Sequence, residues 1–487
     1  MILTVTQMQE AEERLFASGV EAEPLMERAG RGIARAVDEF FPGRGTVIAF
    51  VGPGHNGGDA LVAARHLAAM GWGIELRLVG RERFRPLTEK KLGELGEICP
   101  PGVCTTLVLL DGLLGIGARG PLRGDIEVAA AELNALRLER FAQTVAIDIP
   151  SGLDGDSGEP YAGAVIADLT LTIAHAKAGL LADAAIDHVG RLGLVPLDQI
   201  DARGGDAGAR LIEPRDLARL LPRRVFDTHK GMAGRVGIVA GSRGLTGAAV
   251  LCSAGAVRGG AGLVSLFVPE DIYPIVAACA IPEVMVRPVK NYLEVREANL
   301  DVLAIGPGLG AVGDAVLELI TSSTIPCVID ADALNLIAKS GVGSLAKCQG
   351  PRLLTPHPGE MGRLFPQDGR SRREWAEAFT EQYTTHTLLL KGARTLIKEH
   401  GRPVAFNPTG HPGMATGGLG DVLTGLCAAL VGQGLSTYDA ACAGSWLAGR
   451  AAELALAEQS EESFCASDTM AHLGCAFSSL RKSYSSD

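Results

Sequence analysis

The densest group of residues able to do chemistry lies late in the chain. Asn407 to Asp421 reads N-P-T-G-H-P-G-M-A-T-G-G-L-G-D. Its glycines crowd a loop that reads as running straight into a helix starting near Asp421. Free backbone N–H groups and the helix dipole would face an anion there. Asp421 could take a proton from an attacking hydroxyl. Phosphoryl transfer needs little beyond such a base, an anion cradle and a magnesium ion. No G-x-x-x-x-G-K-[ST] stretch occurs, so this is not a P-loop enzyme. The plainer alternative is an aspartate that only caps its helix.

Other segments converge on the same chemistry. Lys391, Gly392, Ala393, Arg394 and Thr395 follow an apolar run. They combine basic side chains, a tight turn and a hydroxyl, as a nucleotide diphosphate would need. T-P-H-P-G-E puts His357 after another apolar run, either as a buried hydrogen-bonding histidine or as a site residue. G-P-G-L-G ending at Gly310, and Gly260-Ala261-Gly262, let backbone approach a ligand. D-A-D-A-L-N from Asp330 adds carboxylates that either order water around a metal or cap a helix, and capping is favoured.

Three earlier segments pair glycines with a carboxylate after a strand-like run. They are Gly54-His55-Asn56-Gly57-Gly58-Asp59, the stretch from Asp111 to Pro121, and Asp148-Ile-Pro150-Ser151-Gly152-Leu153-Asp154. Ligands of open α/β sheets sit beyond the carboxyl ends of the strands. Asn56, Asp111 and Ser151 offer hard oxygen ligands, which suit an undemanding cation better than zinc. Alternatively, Asn56 and Ser151 cap helices and Asp111 binds a backbone amide.

The elements that must position these residues read as two α/β halves. Thr6 and Gln9 suggest a capping box, and a helix after Pro24 carries Ala29, Ile33, Val37, Phe40 and Phe41 on one face. Strands are expected at Thr46–Val51, Ile74–Val79, Leu107–Leu110 and Thr144–Ile147, with a helix over Ala60–Met70. Asp201 to Arg210 has linker composition. A second series follows, with strands at Val236–Ala240, Leu263–Val268, Val302–Ile305, Cys327–Ile329, Leu353–Thr355 and Thr387–Leu390 and a helix over Thr246–Val257. Apolar strands alternating with helices argue parallel sheets covered on both faces. The last ten residues read as a frayed tail.

Composition narrows the function. The net charge is −11 and aromatics make up 5%, so no nucleic-acid footprint is expected. Glycine, at 63 of 487 residues, runs well above the roughly 7% average without a collagen period. No apolar run is long enough for a membrane span, and the start lacks a basic signal-peptide region. Ten cysteines without a C-x-x-C pair suggest buried, reduced thiols and a cytoplasmic location. Small-residue helices such as Ala441–Leu456 would permit subunit packing, and a homo-oligomer is expected.

N-G-G-D, D-G-L-L-G-x-G and D-I-P-S-G-L-D, in that order, resemble the NAD(P)H-hydrate epimerase domain, a Rossmann-like three-layer αβα sandwich. The resemblance implies exchange between the R and S hydrates of NADH and NADPH, and a potassium ion held by Asn56, Asp111 and Ser151. It implies substrate contacts from Asn56, Gly57, Gly58, Asp59 and Ala60, from Gly115, Ile116, Gly117, Ala118, Arg119, Gly120 and Pro121, and from Asp148, the expected acid/base. Ala60 stands where the family usually has glycine. Ala174 to Gly179 replaces a more usual F-G-x-P-K-x-G, with Lys177 retained. The second half is similar to the ribokinase-like ADP-dependent NAD(P)H-hydrate dehydratase. The motifs are H-K-G, G-S, G-A-G, G-P-G-L-G, D-A-D-A-L-N, T-P-H-P-G-E, K-G-x-x-T and G-G-x-G-D. By position, Ala261, Gly310, His357 and Asp421 would contact the S-hydrate. Lys391, Gly392, Ala393, Arg394, Thr395 and Gly420 would hold ADP, with Mg2+, and Asp421 would be the base. About nine-tenths of the chain thus resembles the bifunctional NAD(P)H-hydrate repair enzymes, with an epimerase domain over 1–205 and a dehydratase domain over 213–487. The competing reading is a ribokinase-like kinase for a small alcohol or vitamin precursor, fused to a non-catalytic nucleotide-binding module.

Overall fold

The computed structural model describes residues 1–41, 43–96, 106–201, 203–311 and 313–482, and the chain divides into two compact units, Met1–Ala209 and Arg210–Asp487. The first unit contains β1 (Ile2–Leu3), α1 (Val5–Ala17), α2 (Ala22–Phe40), β2 (Thr46–Val51), α3 (His55–Ala69), β3 (Gly73–Leu78) and α4 (Pro86–Gly93). It continues with β4 (Leu107–Gly112), α5 (Gly124–Glu139), β5 (Gln143–Ile147), β6 (Leu169–Ile173), β7 (Ala176–Lys177), α6 (Ile186–Val189) and β8 (Arg191–Val195). Six strands form one parallel sheet in the order β3-β2-β4-β5-β6-β8, and β1 pairs with β7.

All six residues of β2 are buried, as a strand covered on both faces requires. Val47, Ala49 and Val51 face Ile33, Val37, Leu61 and Leu67 of α2 and α3, while Ile48 and Phe50 face Ile126, Ala130 and Leu133 of α5. This period-two division is the three-layer sandwich. The chain leaves β2 for β3 on one side and β4 on the other. Its ligand cleft is therefore expected above the carboxyl ends of β2 and β4.

Several boundaries differ from the sequence reading. The capping box is Thr4 with Gln7 rather than Thr6 with Gln9, because Thr4 keeps extended backbone while Gln7 N–H reaches its hydroxyl. α2 starts ahead of Pro24, which occupies the first turn where a missing N–H breaks no helical bond. α3 starts at His55 rather than Ala60, so Asn56 to Ala60 are helical residues, not a loop.

The second unit adds β9 (Ala209–Leu211, beginning at the division), α7 (Pro214–Leu220), β10 (Arg235–Val239), α8 (Thr246–Arg258), β11 (Leu263–Pro269), α9 (Tyr273–Cys279), β12 (Val284–Val289) and β13 (Val302–Ile305). Then follow α10 (Asp314–Ser322), β14 (Cys327–Ile329), α11 (Ala331–Ser340), β15 (Arg352–Leu354), α12 (Pro358–Leu364), α13 (Arg372–Gln382), β16 (His386–Leu390), β17 (Leu396–Glu399) and β18 (Val404–Phe406). The series ends with α14 (Leu419–Gly432), α15 (Thr437–Leu456) and α16 (Ala466–Lys482). Its ten-stranded sheet runs β12-β11-β10-β13-β14-β15-β16-β17-β18-β9. It is parallel from β12 to β16 and antiparallel through β17 and β18.

Three further expectations are corrected. The supposed linker is partly ordered: Asp206 N–H donates to Ile2 C=O and Ala209–Leu211 is a strand. The tail is helical to Lys482, because Leu480 is buried in the second unit's core, and residues 483–487 lie outside the described residues. The small-residue stretch 441–456 offers no free subunit face, since Ala441 to Ala452 are buried within the unit. Among the described residues no helix is long and apolar enough to cross a membrane. The eight described cysteines are unpaired, but Cys279, Cys465 and Cys475 are exposed; Cys99 and Cys104 lie outside the described residues.

Candidate active sites

In the second unit, the carboxyl ends of β10, β13, β14, β15 and β16 deliver Gly241, Gly306, Asp330, Thr355 and Lys391 to one edge of the sheet. The loop from Asn407 ends at Gly418, whose left-handed backbone (φ +89°) turns the chain into α14. No side chain caps that helix. Asp421 therefore stands in a first turn whose N–H groups are available to an anion. A methyl group at Gly420 would lie 3.3 Å from Lys391 Nζ and 3.5 Å from Asp330 Oδ2. A side chain at this position would press on the Lys391 ammonium, so glycine leaves that pair undisturbed.

Asp330 occupies the N-cap position of α11 without capping it, which corrects the expectation. It is buried and its carboxylate is already committed. Lys391 Nζ donates to Oδ1 at 2.7 Å and Thr424 Oγ1 to Oδ2 at 2.8 Å. Lys391 also lies 3.8 Å from Glu360 Oε2. Burial alone would depress Lys391, but Asp330 and Glu360 reverse this and hold the ammonium above the usual lysine range. Asp421 is left without a hydrogen bond or ion pair among the described residues. Burial, then the Asp330 charge, push it up to about 7 against the opposing pull of Lys391. That is a carboxylate poised to exchange a proton near neutral pH.

The remaining predicted residues fall differently. Gly310 N–H donates to Asp332 Oδ2 at 2.7 Å, so the G-P-G-L-G loop is tied to the start of α11. His357 is exposed and caps α12, its Nδ1 accepting from Gly359 and Glu360 N–H. It is thus not a buried histidine. In the Lys391–Thr395 turn, Thr395 Oγ1 donates to Gly392 C=O, Arg372 donates to Ala393 C=O, and Arg394 is mostly buried with φ +55°. Ala261 is not brought to this group. It precedes β11, and the residue before a parallel strand lies at the opposite sheet edge. Thr424 and Glu360 escaped sequence reasoning. The available signal for Thr424 was its spacing, one helical turn beyond Asp421.

In the first unit, Asp111 is the last residue but one of β4 and is fully buried. Its oxygens accept from Ser151 Oγ (2.7 Å), Ser151 N–H (2.8 Å) and Leu113 N–H (3.2 Å). Burial raises it to about 6 even though these bonds pull the other way. Asn56 Nδ2 donates to Leu114 C=O at 2.8 Å. Its Oδ1 stays beside Gly115, 3.5 Å from where a Cβ there would sit. Neither Asn56 nor Ser151 caps a helix, since Gly54 is the N-cap of α3 and Ser151 sits in a turn. Asp111 does bind backbone amides, as the alternative held. Gly57 is held by a close approach: a methyl group there would fall 2.0 Å from Gly52 C=O. A recess is lined by Gly115, Ala118, Gly120, Ser151, Leu153 and Tyr161. Asp148, in left-handed backbone (φ +68°), accepts from Lys177 Nζ and from Ile173 N–H at 3.0 Å. Lys177 is fully buried. Asp59, at the start of the second turn of α3, is buried beside them.

Comparison with known proteins follows the same division. Residues 22–179 match the model described as YjeF-related protein N-terminus, and residues 236–472 match that for NAD(P)H-hydrate dehydratase. A bifunctional NAD(P)H-hydrate repair enzyme of Moorella thermoacetica is 36% identical over 485 residues, covering 92% of this chain and 90% of that one. That of Escherichia coli is 34% identical over 475 residues, covering 93% and 89%. The crystal structure of an ADP/ATP-dependent NAD(P)H-hydrate dehydratase from Bacillus subtilis, co-crystallised with ATP and Mg2+, matches with a TM-score of 0.50 at 29% identity. It covers 56% of this chain and 99% of that one. The chain belongs to the family of bifunctional NAD(P)H-hydrate repair enzymes.

Proposed function

We propose that the first unit interconverts the R and S hydrates of NADH and NADPH, and that the second dehydrates the S form using ADP. In the second unit Asp421 takes the proton of the C6 hydroxyl as its oxygen attacks the terminal phosphorus. The bond to the bridging oxygen breaks and AMP leaves. The ring nitrogen's electron pair then expels phosphate, and loss of a C5 proton restores the dihydronicotinamide. Gly420 and the first turn of α14 cradle the phosphates, and Lys391 sits against that turn. Gly310 and His357 would contact the S-hydrate. The described residues contain no cluster of three or more metal-ligating side chains. Mg2+ does not require one, since it binds through one or two carboxylates and the nucleotide itself. Asp330 and Asp332 are the nearest such groups, and the ion would supply charge neutralisation at the phosphates.

In the first unit the all-oxygen set of Asn56 Oδ1, Asp111 and Ser151 Oγ fits potassium. The buried Asp111 carboxylate has no cationic partner among the described residues. The ion would neutralise that charge and fix the substrate loop from Gly115 to Pro121. Asp148, held by Lys177, presents its carboxylate towards the hydrated ring. We place the protein in the cytoplasm, and a homo-oligomer would use faces other than α15.

The observation that carries this reading is the Asp421 carboxylate, without a hydrogen bond or ion pair among the described residues, beside an uncapped helix start and the Lys391–Asp330 pair. The test mixes the full chain with S-hydrated NADH, ADP and Mg2+. Near-ultraviolet dihydronicotinamide absorbance should return, with AMP and phosphate released in equal amounts. A phosphorylated product that persists would refute the dehydratase reading in favour of a kinase.

A further inference from the structure

In the first unit, Asp148 is already occupied by the Lys177 ammonium and the Ile173 N–H, which leaves the source of the epimerisation proton open. Two other carboxylates stand beside it. α1 lies across this region: Met8 and Ala11 pack in one cluster with Ala29 and Ala174, against which Ile116 and Ile173 also rest. Gln9 Nε2 donates to Ile116 C=O at 3.5 Å, tying α1 to the substrate loop. Glu12 is one helical turn beyond Gln9 and half-buried. Asp59 is only 9% exposed and makes no hydrogen bond or ion pair among the described residues. The charged groups around it come from three elements: Asp148 after β5, Glu12 on α1 and Lys177 on β7. Burial first, then the charges of Asp148 and Glu12, keep Asp59 protonated well above the usual carboxylate range. Burial and Asp148 push Glu12 up to about 7.

Resting on the epimerase reading of this unit, we propose that Asp59 is its proton donor and that Glu12, facing it from α1, tunes that proton. The Asp59 O–H protonates the C6 hydroxyl. The C6–O bond breaks with its electrons leaving on water, while the ring nitrogen's lone pair forms the C6–N double bond. Water adds to the opposite face as that pair returns to nitrogen, and the proton it sheds returns through solvent to Asp59. Asp148 and Lys177 orient the ring, and Asp148 faces the cationic intermediate.

The test uses the full chain, S-hydrated NADH and no ADP, following appearance of the R epimer by NMR above the uncatalysed background. Asp59→Asn should lower the turnover number at least about 100-fold while the KM changes only a few-fold. Glu12→Gln should keep exchange but move the descending limb of its pH profile to lower pH by about one unit, because a neighbouring negative charge is gone. A helix that merely packs would leave that limb in place. Exchange within a few-fold of wild type in Asp59→Asn, or a loss confined to KM, overturns the donor role. An unmoved limb in Glu12→Gln overturns the tuning, and this variant decides if Asp59→Asn does not fold. No exchange in the wild-type chain would instead remove the epimerase reading itself.

Discussion

Replacing Asp421 with asparagine should stabilise the second unit while abolishing its turnover, and the two effects should have one cause. The carboxyl has no hydrogen bond or ion pair to lose among the described residues, and asparagine is nearly isosteric. In the folded protein its proton is held up to about 7, against 3.8 for the free side chain, by burial first and Asp330 second. That interval of roughly three pH units is worth about 4 kcal/mol at ~1.4 kcal/mol each, an upper bound because the group is partly exposed. The sign follows from the direction. Below pH 3.8 the carboxyl is neutral in both the folded and the unfolded chain, so wild type and variant should match. As pH rises, the unfolded chain gives up its proton first and wild type loses ground steadily. Above about 7 the difference levels off. Thermal unfolding of full-length wild type and Asp421→Asn between pH 4 and 8 measures this, at roughly 2–4 °C per kcal/mol for a unit of this size. The variant's advantage should grow from near zero to several degrees or more. A difference independent of pH, or a variant less stable at pH 8, would refute the claim that this charge is held in an unfavourable place for chemistry.

The remaining expectations concern the partners of the two sites. ADP-dependent dehydration should rise with pH through about 7 as Asp421 gives up its proton, and Lys391→Met should move that limb to higher pH. The same variant leaves buried Asp330 with only the Thr424 bond and should cost about 3–5 kcal/mol in denaturant unfolding. Gly420→Ala puts a methyl group 3.3 Å from Lys391 Nζ and should weaken ADP binding about tenfold by calorimetry, with unfolding little changed. Ser151→Ala removes one bond to Asp111 and one from Leu114 N–H. It should cost about 1–3 kcal/mol and blunt the potassium dependence of epimer exchange, measured in potassium and tetramethylammonium buffers.

Much of the scaffold was legible because fully buried parallel strands are apolar runs. Thr46–Val51, Val302–Ile305 and Cys327–Ile329 end where the sequence reading ends them. β12 was not legible, since Met285, Arg287 and Pro288 are not buried and the strand sits at the sheet edge, where proline is tolerated. The antiparallel β17 and β18 were missed for a different reason: at four and three residues they are short, and no helix lies between them to give the alternation that marks a parallel sheet. Site positions were readable wherever a polar residue stands at or just past the carboxyl end of a strand, as Asp111, Asp148, Asp330 and Lys391 do. Ala261 shows the same rule in reverse, because it precedes its strand and lies at the wrong edge. What the sequence could not show was who meets whom. Asp330 finds Lys391 across 61 positions and Thr424 across 94. No local signal distinguishes that arrangement from a helix cap.

That pairing matters because a single lysine is shared unequally between carboxylates. Had Lys391 bonded Asp421, the ion pair would lower the aspartate's proton affinity and make it a weak base at neutral pH. Bonded instead to Asp330, Lys391 stays charged beside the helix start, and Asp330 keeps the Asp421 proton affinity high. The first unit repeats the logic on unrelated elements. Lys177 takes Asp148, and Asp59 and Glu12 are left to titrate. In each unit burial raises the proton affinity of the carboxylate that the lysine does not bond, and the ion pair leaves that carboxylate free to exchange its proton. Moving the lysine's bond from Asp330 to Asp421 would lower the proton affinity of Asp421 against the burial that raises it, and so weaken it as a base.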